Sequence, residues 1–388
     1  MPQAPRLKSR DGTRTGPHKP FTLPAQECEL LYSDLIEDGG VLLQIGVVHR
    51  SRHRQKRGSV MEDKQTVLLR TIPGAARDNA AAALERPVAP AHRSLPAQKT
   101  RVDRPIFVVG VGRSGSTIFH RMFSEHPDVV WVSGLCDRFP SKPALSRALQ
   151  RMIDWPLVNR PLKYHYEPGE CYRFWNHHCH GFSRPCRDLL ASDVTELNRN
   201  RVPPAMAELL THRRQRLLHK ITGWPRIGFL RELFPDALFI HIYRDGRAVA
   251  SSLLAVDFWD GWGGPDRWRW GELSEAHRAE WECHGKSFVA LAGLQWKLLM
   301  DATSEAAARI PAGQFMRLRY EDFVLDPTRH FRDVVKFCGL EWSPRFEKAI
   351  GKYKLRSTNG KWRNELTPEQ QVVLQSVLAE SLAKYGYA

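Results

Sequence analysis

The segment that most constrains this chain is Gly110-Val111-Gly112-Arg113-Ser114-Gly115-Ser116-Thr117, which follows the apolar run Ile106–Val109 and leads into an amphipathic stretch from Thr117 to about Ser124. A buried strand, a glycine-rich turn and a helix carrying Ile118, Met122 and Phe123 on one face make a strand–loop–helix unit. Such a loop aims backbone N–H groups and a helix N-terminus at one point, and an anion satisfies them. The glycine spacing matches GxxxxGK[ST], except that Ser116 stands where the lysine would reach the β- and γ-phosphates of a nucleoside triphosphate. This disfavours a conventional NTPase or kinase. The cation of the loop is instead Arg113.

A second unit of the same kind follows. The strand-like run Ala237–Tyr243 comes after a helical stretch ending at Phe234 and a Pro235-Asp236 turn, and leads into Arg244-Asp245-Gly246 and a helix to about Leu254. Two strand-to-helix units with buried strands predict an α/β domain whose mostly parallel sheet is covered by helices. The region from Ser141 to Arg216 reads as helical and irregular. Asp326–Cys338 and Pro368–Tyr385 read as amphipathic helices, the last opened by the start signal Thr367-Pro368-Glu369.

Residues 1–99 are different in kind. They are rich in Pro, Arg, Ser and Ala, carry the basic run Arg50, Arg52, Arg54, Lys56 and Arg57, and show little sustained periodicity. They are expected to be largely disordered, which leaves 100–388 as the folded domain. Met61, followed by Glu62 and Asp63, is an alternative start. A length of 388 residues with 42% apolar content suffices for a sizeable core. The net charge of +16 points to an anionic partner, whether a phosphorylated or sulfated small molecule, nucleic acid or a membrane surface. A solvated tail accounts for the basic arm, so nucleic acid is not expected. Seven scattered cysteines, with no opening segment resembling a signal peptide, predict reduced thiols in a cytoplasmic protein. The longest apolar stretches, such as Val41–Val48, fall short of the roughly 20 residues that span a bilayer, so no membrane anchor is expected.

The loop Arg113-Ser114-Gly115-Ser116-Thr117 resembles the 5'-phosphosulfate loop of the sulfotransferase superfamily, whose donor is 3'-phosphoadenosine 5'-phosphosulfate (PAPS). That superfamily's 3'-phosphate element, a strand followed by Arg and, eight residues on, by Ser, is similar to Phe239–Ser252, so the resemblance assigns Arg244 and Ser252 to the donor's 3'-phosphate. The physical reading agrees, because an arginine at a strand end and a hydroxyl early in the next helix can face one phosphate. Asn359–Thr367 looks like the C-terminal Gly-x-Trp-Lys-Asn segment of the cytosolic members. The Arg-Lys-Gly that should precede it is here Leu355-Arg356-Ser357, which leaves Arg356 to reach the 3'-phosphate. The resemblance covers Arg104 to about Thr367. It implies the P-loop-like fold of that superfamily, a parallel sheet of about five strands flanked by helices. It also implies PAPS as donor, and a hydroxyl or amine acceptor that is a carbohydrate, lipid, phenol or protein tyrosine.

Sulfuryl transfer is an in-line displacement needing positioning, cations and a base for the acceptor proton, with no metal required. Lys220, in Leu218-His219-Lys220-Ile221-Thr222, resembles the catalytic lysine of tyrosylprotein sulfotransferases and would stabilise the leaving oxygen together with Arg113. The competing reading is a solvated lysine at a helix end. For the base the resemblance fails: the position of the cytosolic members' histidine is Thr222, and that of the tyrosylprotein enzymes' glutamate is Gly134. Asp137 is the first substitute and Glu170 the second, and each also reads as an ordinary surface acid. Cys171, Cys179 and Cys186 with His177, His178 and His180 supply zinc-ligand types but no Cys-x-x-Cys spacing, and no metal is expected. The run Phe258-Trp259-Asp260-Gly261-Trp262, with Trp268 and Trp270, either stacks on a ring acceptor or packs as a Trp-rich loop. The rival readings are a P-loop kinase or NTPase and a basic nucleic-acid-binding protein.

Overall fold

Five short segments become parallel strands: β1 (Ile106–Gly110), β2 (Val129–Trp131), β3 (Arg216–Thr222), β4 (Leu238–Tyr243) and β5 (Phe315–Arg319), in the order β2-β3-β1-β4-β5. The computed structural model describes residues 101–153, 167–183 and 185–387. The expectations for 1–99, with its basic run, Val41–Val48 and Met61, lie outside the described residues.

Burial on both faces explains why β1 reads as an uninterrupted apolar run. Ile106 and Val108 face one side, where Phe119, Met122 and Phe123 of helix α1 (Ser116–Phe123) pack with Phe331 and Phe346. Phe107 and Val109 face the other, against Trp175 and Phe182, the former on helix α2 (Tyr172–His178). A third core joins helices α3 (Gly246–Leu254), α4 (Phe288–Ala308) and α5 (Pro368–Lys384) around Trp296. Gly246 permits this closeness, since a Cβ there would lie 2.8 Å from the Trp296 ring. The start signal at Thr367 closes a capping box with Gln370, as the sequence predicts for a helix opening there.

Lys220 is not at a helix end. It sits in mid-β3, paired in register with Val108, and shares with Leu218 the face that looks towards α1. The sequence reading assigned no strand to β2, β3 or β5. The polar pair His219-Lys220 interrupts β3, β2 is three residues long, and the edge strand β5 mixes apolar with charged residues. The strand order places β1 between β3 and β4, and the carboxyl ends of these strands border the crevice where open parallel sheets bind ligands. Among the described residues, no helix is long and apolar enough to cross a membrane.

Candidate active site

The loop after β1 turns through two left-handed residues, Arg113 (φ 71°) and Gly115 (φ 86°). Gly115 caps α1 and has no room for a side chain, because its Cβ would lie 2.2 Å from the Tyr320 ring. Gly112, Arg113, Ser116 and Thr117 line a cavity of 290 Å³, while Ser114 is buried with its hydroxyl unpartnered. Ser114 and Gly115 therefore shape the loop, and their neighbours present it.

Lys220 enters the same cavity from β3. Its Nζ donates to Thr117 Oγ1 at 2.9 Å and pairs with Glu170 Oε1 at 2.9 Å. Thr222, two residues on and on the same face of β3, donates its hydroxyl to Glu170 Oε1 at 2.7 Å. Burial works to raise the Glu170 carboxyl, but the Lys220 charge and the hydrogen bonds from Tyr172, Thr222 and Lys220 outweigh it and hold it below the usual range. Glu170 is thus a carboxylate lining the cavity, beside Lys220, which touches the phosphate loop at Thr117.

Asp137 is placed otherwise. Its Oδ1 accepts from the backbone N–H groups of Arg173 (2.7 Å) and Phe174 (3.4 Å), so it caps α2 from a neighbouring element. It is not among the residues lining the cavity. Asp137 fixes the start of α2, and Glu170, just before that helix, faces Lys220. Of the two carboxylates considered as base, the structure brings only Glu170 to the cavity.

The second cationic centre lies at the end of β4. Arg244, 7% exposed, donates from Nε to Asn359 Oδ1 (3.1 Å), from Nη2 to Thr358 Oγ1 (3.1 Å) and from Nη1 to the carbonyl of Arg113 (3.2 Å). Its guanidinium lies 4.8 Å over the Tyr320 ring, the same ring that excludes a side chain at Gly115. Arg113 in turn donates from Nε to Ser252 Oγ at 2.9 Å. Arg113, Arg244 and Ser252 therefore converge, although 139 positions separate Arg113 from Ser252. Arg356 is exposed and belongs to the segment whose Thr358 and Asn359 hold Arg244. Sequence reasoning missed Thr358 and Tyr320, for which no local signal exists, and met Asn359 only as the first residue of the segment resembling the C-terminal motif.

The wall facing Lys220 is built by Leu253, Phe258, Trp259, Trp270 and the pair Asp260–Arg269, whose Oδ2 and Nε are 3.1 Å apart. The Trp-rich run is thus split: Phe258, Trp259 and Trp270 line the cavity, and Trp268 is buried in the third core. The cysteine–histidine cluster is also dispersed. Cys171 Sγ approaches the carbonyls of Val132 and Ser133, Cys179 is buried, Cys186 is exposed, and His178 Nε2 lies 3.0 Å from the Pro140 carbonyl.

A cationic phosphate loop, a lysine shared between that loop and a carboxylate, and a second arginine centre against the loop at Arg113 are fit for moving a charged group to a deprotonated acceptor. A family model described as "Sulfotransferase family" matches residues 105–344. The chain belongs to the sulfotransferase family. This enzyme is 23% identical over 333 residues to the omega-hydroxy-beta-dihydromenaquinone-9 sulfotransferase Stf3 of Mycobacterium tuberculosis, covering 75% of this chain and 77% of the relative. It is 24% identical over 288 residues to a protein-tyrosine sulfotransferase of Drosophila melanogaster, covering 72% of this chain and 46% of that one. Among solved structures, the sulfotransferase STF9 of Mycobacterium avium matches with a TM-score of 0.48 and 17% identity, covering 73% of this chain and 77% of that one. The sulfotransferase moves a sulfuryl group to an acceptor, and neither the kinase nor the nucleic-acid reading is favoured.

Proposed function

We propose that the donor is PAPS, held at both ends by the two cationic centres, and that Glu170 takes the acceptor's proton. The 5'-phosphosulfate lies on the loop from Gly112 to Thr117, where backbone N–H groups, the Ser116 and Thr117 hydroxyls and Arg113 meet its charge. Arg244 and Ser252 hold the 3'-phosphate, with Arg356 at its exposed side. Lys220 stabilises the bridging oxygen as the S–O bond breaks.

The observation that carries this reading is the position of the Lys220 ammonium, 2.9 Å from both the loop's Thr117 and Glu170. When the ammonium turns to the leaving oxygen, Glu170 gives up its ion-pair partner and becomes the stronger base. The carboxylate then accepts the proton of a hydroxyl or amine as its lone pair attacks sulfur. A base whose strength rises as charge develops on the donor couples the two halves of the reaction. Asp137, spent on two backbone N–H groups, has a structural role.

The menaquinone-derived acceptor in one relative's name and the tyrosine in the other's both place a reacting hydroxyl on an apolar or ring body. Leu253, Phe258, Trp259 and Trp270 on the acceptor side support the same chemistry here. The described cysteines are free thiols, which supports a reducing, cytoplasmic setting. The test is calorimetric titration with adenosine 3',5'-bisphosphate against ATP. The bisphosphate binds tightly and Arg244→Ala weakens it; tighter binding of ATP overturns the assignment.

A further inference from the structure

The cavity is small for its task. Ligand pockets commonly measure about 300–1,000 Å³, and this one, at 290 Å³, includes both the phosphate loop and the wall of Leu253, Phe258, Trp259 and Trp270. The donor's transferring group must occupy the loop end, beside Lys220. What remains holds the reacting end of an acceptor, and a larger body extends through the cavity's open side. That body has to leave by the mouth, and the mouth is marked by Phe258, which lines the cavity yet is 73% exposed.

Next to this opening lie two more exposed rings, Trp262 (43%) and Phe288 (42%), with centroids 5.2 Å apart. Both also pack on Trp259 of the cavity wall, at 5.0 and 6.4 Å. The polar atoms of this ledge are already used: Trp262 Nε1 donates to the Val256 carbonyl, and Trp259 Nε1 donates to Gln295 Oε1. Neither of these two indole N–H groups is free for a sugar body, and the unpartnered Nε1 of Trp270 is buried on the cavity wall. An apolar chain or ring system would find the exposed rings of Trp262 and Phe288 packed on Trp259, a residue of the cavity wall and the chain neighbour of Phe258.

We propose that the acceptor is an amphiphile with its reacting hydroxyl at one end, which enters end-on while its apolar body lies along Phe258, Trp262 and Phe288. This deepens the reading of a hydroxyl acceptor deprotonated at Glu170 and rests on it. The ledge sets specificity by body length and takes no part in the transfer, which forms the acceptor O–S bond, breaks the bond from sulfur to the donor's bridging oxygen and leaves the proton on Glu170.

The test uses the full chain, PAPS and the straight-chain primary alcohols from butan-1-ol to dodecan-1-ol. Burial of a methylene group is worth about fourfold in kcat/KM when complete, so an open ledge gives a rise of about twofold per methylene. Trp262→Ala and Phe288→Ser lower kcat/KM for dodecan-1-ol about tenfold, change butan-1-ol by less than about twofold, and leave the affinity for adenosine 3',5'-bisphosphate unaltered. A bromine-tipped dodecanol quenches tryptophan fluorescence without donor or turnover, and Phe288→Ser weakens that binding about tenfold. This second measurement separates the ledge from the catalytic reading: quenching without turnover of any alcohol counts against Glu170 as base and leaves the ledge standing. Chain-length independence in the wild type, or equal slopes in wild type and variants, overturns the proposal. So does neutral phosphatidylcholine vesicle binding that the variants abolish with the alcohol series unchanged, since the ledge would then be a bilayer contact.

Discussion

Substituting Lys220 and Arg244 separately tests the proposal that the two cations meet opposite ends of the donor, and is expected to divide catalysis from donor binding. Arg244 is 7% exposed and holds three side-chain hydrogen bonds, to Asn359, Thr358 and the Arg113 carbonyl. Arg244→Ala removes a charge-assisted contact of about 1.5–3 kcal/mol to a phosphate that takes no part in bond breaking. Affinity for adenosine 3',5'-bisphosphate falls about 10- to 100-fold, and kcat at saturating donor changes little. Lys220 is 6% exposed and touches Thr117 and Glu170. Lys220→Ala removes a charge needed as the leaving oxygen becomes negative, and loss of such a preorganised group costs about 100- to 1,000-fold in kcat. It also leaves the Glu170 carboxylate without its partner, so melting curves of both variants show whether the fold survives. The assay is donor affinity by calorimetry, and kcat from radiolabelled sulfuryl transfer to any alcohol or phenol that supports turnover. If Arg244 controls kcat and Lys220 controls only affinity, the donor lies the other way round or the catalytic lysine is another residue.

Glu170→Gln abolishes most turnover of weakly acidic alcohols while Asp137→Asn keeps kcat and lowers the melting temperature; equal kcat losses would refute the division of roles. The acid limb of the kcat/KM profile, on which activity disappears as pH falls and Glu170 protonates, moves to higher pH in Lys220→Met, since the charge that holds this carboxyl below its usual range is gone. Burial pushes His219 and His241 from 6.5 down to about 3, so both are neutral in the fold while the unfolded chain takes up protons. Their contribution to stability is complete above about pH 6.5 and declines as pH falls, by about 1.4 kcal/mol per histidine per pH unit. Melting temperatures that stay flat on acidification from there would contradict it, and His241→Leu reduces the slope. Deletion of residues 1–99, motivated by their biased composition, leaves donor affinity and melting temperature unchanged in the truncated protein.

How much of this site can be read from the sequence depends on whether a residue's role is settled by its neighbours in the chain or by partners far along it. The phosphate loop is legible because strand, glycines and helix are contiguous, and Gly115 is required by a backbone turn that local spacing reveals. Arg244 and Ser252 are legible for the same reason, since one strand–helix corner carries both. Lys220 and Glu170 are not, because they stand far apart in the chain and each alone resembles a surface charge. The strand that carries Lys220 was hidden by the residues that make it useful. His219 is tolerated in a core because the indole N–H of Trp175 donates to its Nε2 at 2.6 Å, and Lys220 because Glu170 and Thr117 receive its ammonium. Polar residues satisfied from a distance break the apolar run that would announce a buried strand. Asp137 and Glu170 show the same limit from the other side. Only the packing of α2 against the helix that carries Asp137 gives one carboxylate two backbone N–H groups to cap, while Glu170, just before α2, faces a lysine. A polar interruption within an otherwise buried strand, near the carboxyl edge of a parallel sheet, is therefore a signal of a site rather than an argument against the strand.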